Sequence, residues 1–448
     1  MQQKIKQFKN LEDFRNCDPS SHTNIEFLNC FNGKNYAQEI CKFSSVLESC
    51  SNLTTISLNL GFRDLYGETF SKLCSGLSKC TNISNFKVEL CKSQIKDEGA
   101  QQLSFLIENW KNLSNLTLNL NSNDISDKGI SELANALGNC VNLSNLSFDI
   151  SGNNSIIVNS TFNLSSNLTK CKKLSNLNLQ LYNTVLVDYN ISELVSDLAK
   201  CKNLSALELN IGFNGFDSLV LENLGSELAH FTHLSKLSLN IRNNEISDQV
   251  VYNICSGLKY CTNLSILDLN LGGDQLNELA ASHISSTLVQ LPNLSNLAIM
   301  LSGQEIKAEG ASYIGSALSK CNNLSALSLQ LRSNNIGTTG FKDLTSGLFN
   351  CSNLSSLTLD LYNNSIDEES ILDLGQAIVK CTKIFNLYLC LIYDNYFSEE
   401  GYSDFISAIV SHQSIQTLQL DDNFRIFSNQ IFKMKKLVRM IFNQEDYY

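Results

Sequence analysis

Apolar and polar residues alternate through Leu113, Leu116, Leu118 and Leu120, with Ser, Asn and Thr between them. Such a period of two predicts a strand with one face buried. Asn121, Ser122, Asn123 and Asp124 follow and supply turn chemistry. Ser126 or Asp127 can then cap a helix, and Asp127 also suits its positive N-terminal end. Within that helix Ile130, Leu133, Ala134 and Leu137 recur at helical spacing and define one inward stripe. Cys140 ends the segment, and the next strand begins at Leu143.

The same pattern recurs along almost the whole chain. The position before x-Asn-Leu-Ser-x-Leu falls on Cys50, Cys80, Trp110, Cys140, Cys171, Cys201, Phe231, Cys261, Leu291, Cys321, Cys351, Cys381 and His412. The steps are 30 residues, except for two of 31 that end at Cys171 and His412. A weaker match at His22, with Asn24 and Ile25, marks a degenerate first copy. The expected layout is an N-terminal cap with this degenerate copy over 1–49, about thirteen repeats over 50–425, and a cap helix over 426–448.

One repeat alone cannot bury both its strand face and its helix stripe, whereas stacked copies can. Neighbouring strands lie about 4.8 Å apart, whereas packed helices need roughly 8–10 Å. The expectation is therefore an α/β right-handed solenoid shaped as a horseshoe or arc. A parallel sheet would line its concave face and helices its convex face.

Composition narrows the function classes. The 448 residues carry 33 Lys and Arg against 44 Asp and Glu, a net charge of -11. Such a surface is repelled by phosphate backbones, so no nucleic acid is expected as partner. No apolar run is long enough for a membrane span, and Met1 to Asn10 lacks the apolar core of a signal peptide. The 16 cysteines are accordingly expected to be reduced thiols, in the cytoplasm or the nucleus. Asn-x-Ser/Thr triplets such as Asn112, Leu113 and Ser114 are then incidental to the repeat.

The residues Leu-x-x-Leu-x-Leu and Asn-x-Ile, with a helix containing Gly129 and Leu133, resemble the ribonuclease-inhibitor-like type of leucine-rich repeat. The resemblance covers roughly residues 50 to 425. One departure is an extra Leu-x pair in most copies, as in Leu327, Leu329, Leu331 and Asn334, which should deepen the inner wall by one residue pair. Only the last copy, with Leu418, Leu420 and Asn423, has the shorter form. Long-strand arrays of this kind are similar to proteins of single-celled eukaryotes, some labelled kinase-associated. The resemblance implies a protein–protein interaction scaffold, expected to be a monomer, with a protein partner whose identity the sequence does not give. It also opens two alternatives, a GTPase-activating protein of the Ran-activator type and a kinase-associated regulatory array without its own kinase domain.

No metal, cofactor or catalytic residue is expected. The cysteine column lacks paired Cys-x-x-Cys spacing, and Trp110, Phe231 and Leu291 replace it, so its members read as small apolar residues closing each helix. The histidines His22, His230, His233, His283 and His412 form no ligand or nucleophile pattern, and the phosphate-binding and kinase motifs are missing. Asn123, Asn214, Asn244, Asn334 and Asn364 read as scaffold residues serving tight turns.

Two outward-facing strand columns carry the remaining information. The first includes Ser57, Lys87, Glu208, Asp268 and Tyr388. The second runs Asn59, Glu89, Asn119, Asp149, Gln180, Asn210, Asn240, Asn270, Met300, Gln330, Asp360, Cys390 and Asp421. It has no basic member. That is either a solvated face or a mildly acidic wall for a basic segment. Larger side chains gather at the strand-to-helix loops, and aromatics and arginine favour binding hot spots. The candidate partner-binding residues are Phe62, Tyr182, Phe213, Arg242, Arg332, Tyr362 and Tyr393, with Tyr388 on the strand face. Ile431 to Asn443, with Lys433, Lys435, Lys436 and Arg439 among apolar residues, reads as the amphipathic cap helix.

Overall fold

Apolar residues at every second position, mostly leucine, bury one side of the repeat strands. In β5 (Asn115–Asn119) the apolar Leu116 and Leu118 are buried, and the three polar residues face outward. The computed structural model describes residues 6–8, 11–16, 18, 21–27, 35–153, 159–184, 191–272, 276–348, 350–391, 399–421, 431, 434, 437 and 439–443. It is an α/β solenoid of parallel strands alternating with helices, and it divides into two compact units, Met1–Phe216 and Asp217–Tyr448.

The first unit holds β1 (Lys6–Phe8), β2 (Asn24–Phe27), β3 (Thr55–Asn59), β4 (Asn85–Glu89), β5, β6 (Asn145–Asp149), β7 (Asn176–Gln180) and β8 (Ala206–Asn210). They pair in sequence order and parallel, each residue meeting its repeat equivalent, as Leu116 meets Leu146. The second unit repeats the plan with β9 (Lys236–Asn240), β10 (Ile266–Asn270), β11 (Asn296–Met300), β12 (Ala326–Gln330), β13 (Ser356–Asp360), β14 (Asn386–Cys390), β15 (Thr417–Asp421) and β16 (Arg439–Asn443). In both units a helix layer backs the sheet, and leucines from both layers fill the space between.

The extra Leu-x pair lengthens the ladder beyond each five-residue strand. Leu331 is fully buried and its N–H donates to Asp360 O at 2.8 Å, while Ser333 N–H donates to Tyr362 O at 2.9 Å. The helix Asp127–Gly138 is capped by Ser126, whose hydroxyl accepts from Lys128 N–H. Asp97 of the preceding helix bonds both the N–H and the hydroxyl of Ser126, at 2.8 and 2.6 Å, so one carboxylate also orients the next cap.

Hydrogen bonds repeat down the stack with the same period. Ser114 Oγ donates to Ser84 O, and Ser144 Oγ to Ser114 O. Outward on the strands, Asn85, Asn115, Asn145 and Asn176 form a ladder in which each Nδ2 donates to the preceding Oδ1. Each of these amides also donates to the serine beside it, so the ladder satisfies itself.

The two ends differ. At the N-terminus Phe8, Phe14, Phe27 and Phe43 pack ring against ring, with centroids 4.7 to 5.7 Å apart, and close the first rung with aromatic surface. At the C-terminus the expected cap helix is corrected. Arg439–Asn443 is a strand that pairs parallel with β15, Leu418 meeting Met440 and Leu420 meeting Phe442. Without it β15 would present a row of unpaired backbone groups, and ladder pairing of a β-branched and aromatic segment outweighs its helical spacing. Lys433, Lys435 and Lys436 lie outside the described residues.

Candidate functional site

The polar column at the strand exits has a local cause. Asn59, Asn119, Asn210, Asn240 and Asn270 each accept, through Oδ1, the N–H two residues ahead, at 3.1 to 3.4 Å. Asp149 and Asp360 do the same for Ser151 and Tyr362, at 2.9 and 3.2 Å. A short side-chain acceptor suits this turn, and a basic residue cannot supply one. At these seven positions the polar side chain therefore serves its own turn.

Burial pushes the carboxyl of Asp149 above the ordinary range, and Glu89 adds to this against the bonds from Ser151. The folded chain thus holds this proton more tightly than the unfolded chain does. Its contribution to stability is greatest below the ordinary carboxylate pKa and falls as pH rises through the raised folded value. Asp149→Asn keeps the turn acceptor and removes the desolvated charge. Chemical unfolding should show the variant to be more stable than the parent at pH 7, with the gap closing on acidification below about pH 4. A variant less stable at pH 7 would contradict this reading.

The cysteine column is packing. Cys80, Cys171, Cys261 and Cys351 are buried, and their thiols donate to Leu47 O, Leu137 O, Leu228 O and Leu318 O of the preceding repeat at 3.2 to 3.6 Å. Burial pushes the thiols of Cys80, Cys171 and Cys351 up to about 12, far from the thiolate that reacts or ligates. The asparagines after the strands are equally structural. Asn123 accepts from Ser93 and Ile95 N–H and donates to Leu90 and Asn121 O. Asn334 and Asn364 repeat the arrangement, and Asn214 and Asn244 donate to strand-exit carbonyls in the same way. Among the described residues no three His, Cys, Asp or Glu side chains come together to hold a metal.

The larger loop residues occupy two adjacent columns. Tyr182, Arg242, Arg332 and Tyr362 share the position taken elsewhere by Gly61, Asn121, Ser151 or Gly212. Phe62 and Phe213 sit one residue later. In that second column the backbone is left-handed, with φ near 50 to 75° at Phe62, Lys92, Ser122, Gly152, Asn183, Phe213, Asn243, Gly303, Ser333 and Asn363.

In the first unit Tyr182 and Phe213 meet, with ring centroids 4.8 Å apart and a tilt of 50°. Phe62 is 68% exposed, and Lys92 Nζ lies 5.8 Å from its ring centroid. In the second unit the Arg332 guanidinium stacks on Tyr362 at 4.3 Å. Its Nε lies 3.5 Å from Asp360 Oδ2, and its Nη2 donates to Cys390 Sγ at 3.8 Å. Burial works against the charged form of Arg332, yet Asp360 and Cys390 outweigh it and raise the guanidinium above its ordinary value. Arg242 is half-buried at the same position.

Tyr388 lies on the strand face, in register with Thr358 and Gln419, and is not on the loops. Tyr393 lies outside the described residues. The meeting of Arg332 with Tyr362 follows from their 30-residue separation. The roles of Asp360 and Cys390 as its anchors were hidden because both belong to the strand-exit column. No helix among the described residues is long and apolar enough to cross a membrane. Compared with known proteins, the chain matches no protein family, and no curated protein is detectably similar to it in sequence.

Proposed function

We propose that the chain is a leucine-rich-repeat array of the ribonuclease-inhibitor-like type, a non-catalytic scaffold that binds a protein partner along its strand exits. The observation that carries the reading is the pair Phe62 and Phe213. Both hold left-handed backbone, φ 61° and 57°, and both are exposed, 68% and 40%. A residue with a Cβ in that conformation costs roughly 1–2 kcal/mol. The same column is filled elsewhere by Gly152, Gly303, Asn183, Asn243 and Asn363, which tolerate it, and by the polar residues Lys92, Ser122 and Ser333. A phenylalanine there adds strain, and Phe62 in particular buries little of its ring in the fold. Its aromatic surface suits a protein contact, where rigid rings give large area at low conformational cost.

In the first unit the Tyr182–Phe213 pair offers a contiguous aromatic patch at the strand exits. The test is to isolate the partner with the intact chain and then measure its affinity for Tyr182→Ala/Phe213→Ala. A loss of at least about tenfold is expected, with the circular dichroism spectrum unchanged. Undiminished affinity would remove this patch from the interface. Reduced thiols in the buried column fit a cytoplasmic or nuclear setting.

A further inference from the structure

A cavity of about 160 Å³ opens on the helix layer of the second unit, between helices Asp248–Leu258 and Glu278–Leu288. Tyr252, Ser256 and Lys259 line one side of it and His283 the other. The first three are spaced i, i+4 and i+7, a single stripe along one helix face. Tyr252 and His283 meet edge to face with centroids 5.0 Å apart, which holds the two rings in place across the opening. The remaining lining hydroxyls, Ser286 and Thr287, donate to helix carbonyls. The side chains of Tyr252, Ser256, Lys259 and His283 make no hydrogen bond to the described residues, and Lys259 Nζ rests 5.3 Å from the centroid of Tyr260. Among the described residues no carboxylate lines the cavity.

The constellation interrupts the repeat. Thirty residues on, the places of Tyr252 and Lys259 are taken by Ser282 and Val289, and after a further repeat by Ser312 and Ser319. The place of His283 is taken by Asn253, Tyr313 or Asp343. Packing of the helix layer asks for none of these three side chains, since its buried stripe is Val251, Ile254 and Leu258. What they share is hydrogen-bond donation, around one permanent cation, on a chain whose net charge is -11.

We propose that this cavity binds a phosphate monoester, with Lys259 opposing its charge and Ser256, Tyr252 and His283 donating to its oxygens. Charge-assisted bonds of this kind are about twice as strong as neutral ones, and a dianion has acceptors for all four groups. Tyr252 is 47% exposed, so a phosphate carried by a small molecule or by a modified residue of another protein can both enter.

The test is a calorimetric titration of the full chain at low ionic strength. Inorganic phosphate is one probe, and a phosphoserine peptide with its unphosphorylated counterpart is the other. Saturable phosphate binding is expected, weakened about tenfold or more in Lys259→Met and several-fold in Tyr252→Phe and His283→Gln. The unfolding midpoints of these variants should match the parent. A phosphopeptide that binds well above phosphate identifies a protein-borne group, and equal binding identifies a small-molecule source. The proposal is overturned if neither probe saturates at about 10 mM, or if Lys259→Met binds phosphate as the parent does.

Discussion

Asn123→Ala is expected to cost about 4 kcal/mol. The Asn123 side chain is fully buried and serves two repeats at once. Its Oδ1 accepts Ser93 N–H at 3.0 Å and Ile95 N–H at 3.3 Å, and its Nδ2 donates to Leu90 O at 2.7 Å and Asn121 O at 3.1 Å. Truncation leaves two buried donors and two acceptors without their partner, and each orphaned group costs roughly 1–3 kcal/mol where water cannot replace it. Asn123→Asp provides a sharper control. It retains the acceptor but turns lone pairs toward the carbonyls of Leu90 and Asn121, so it should be as harmful as alanine at neutral pH and recover partly in acid. Urea unfolding read by Trp110, the single tryptophan, buried in the same unit, measures both variants. A cost below about 1 kcal/mol for Asn123→Ala would mean that the turn finds other partners.

Gly347→Ala should be nearly as severe, about 3 kcal/mol or more, for a different reason. Gly347 lies in the helix Gly337–Leu348, which packs against Lys307–Leu318. A Cβ at Gly347 would fall 2.0 Å from Gly315 O, and one at Gly315 would fall 2.4 Å from Asp343 O. The obstacle is backbone, so no rotamer relieves it, and the helices must separate and loosen the leucines beneath. Gly337 is the contrast. Its φ is 63° and nothing lies near its absent side chain, so Gly337→Asn should cost less than about 1 kcal/mol. Thermal unfolding followed by circular dichroism separates the two, and equal losses would contradict the packing account.

Much of this architecture was legible in the sequence because the repeat multiplies each weak signal. The alternation through Leu116 and Leu118, the stripe of Ile130 and Leu133, and Ser126 as cap are local choices that agree with one another. The cysteine column could be assigned to packing once Trp110 and Phe231 were seen to share it. What escaped was set by neighbours. Residues 439–443 have helical spacing and a strand's composition, and the open edge of β15 decides between them. The acceptor column of Asn119 and Asp149 looked like surface chemistry because its bond goes to the residue's own turn. The partnership of Arg332 with Asp360 and Cys390 needs three strands in register. The four donors around the helix-layer cavity come from two helices, and no single helical stripe contains them all.

If the exposed phenylalanines at the strand exits are held there for contact, against the preference of the backbone, replacing one should not harm the fold. The unfolding free energy of Phe62→Asn measures this. Asparagine accepts the left-handed conformation, as Asn183 and Asn243 do in the same column, and the Phe62 N–H bond to Cys91 O at 2.7 Å involves no side chain. The variant is expected to be as stable as the parent or more stable, by up to about 1 kcal/mol. A loss of more than about 1 kcal/mol would show that the ring serves the fold and is not held there for contact.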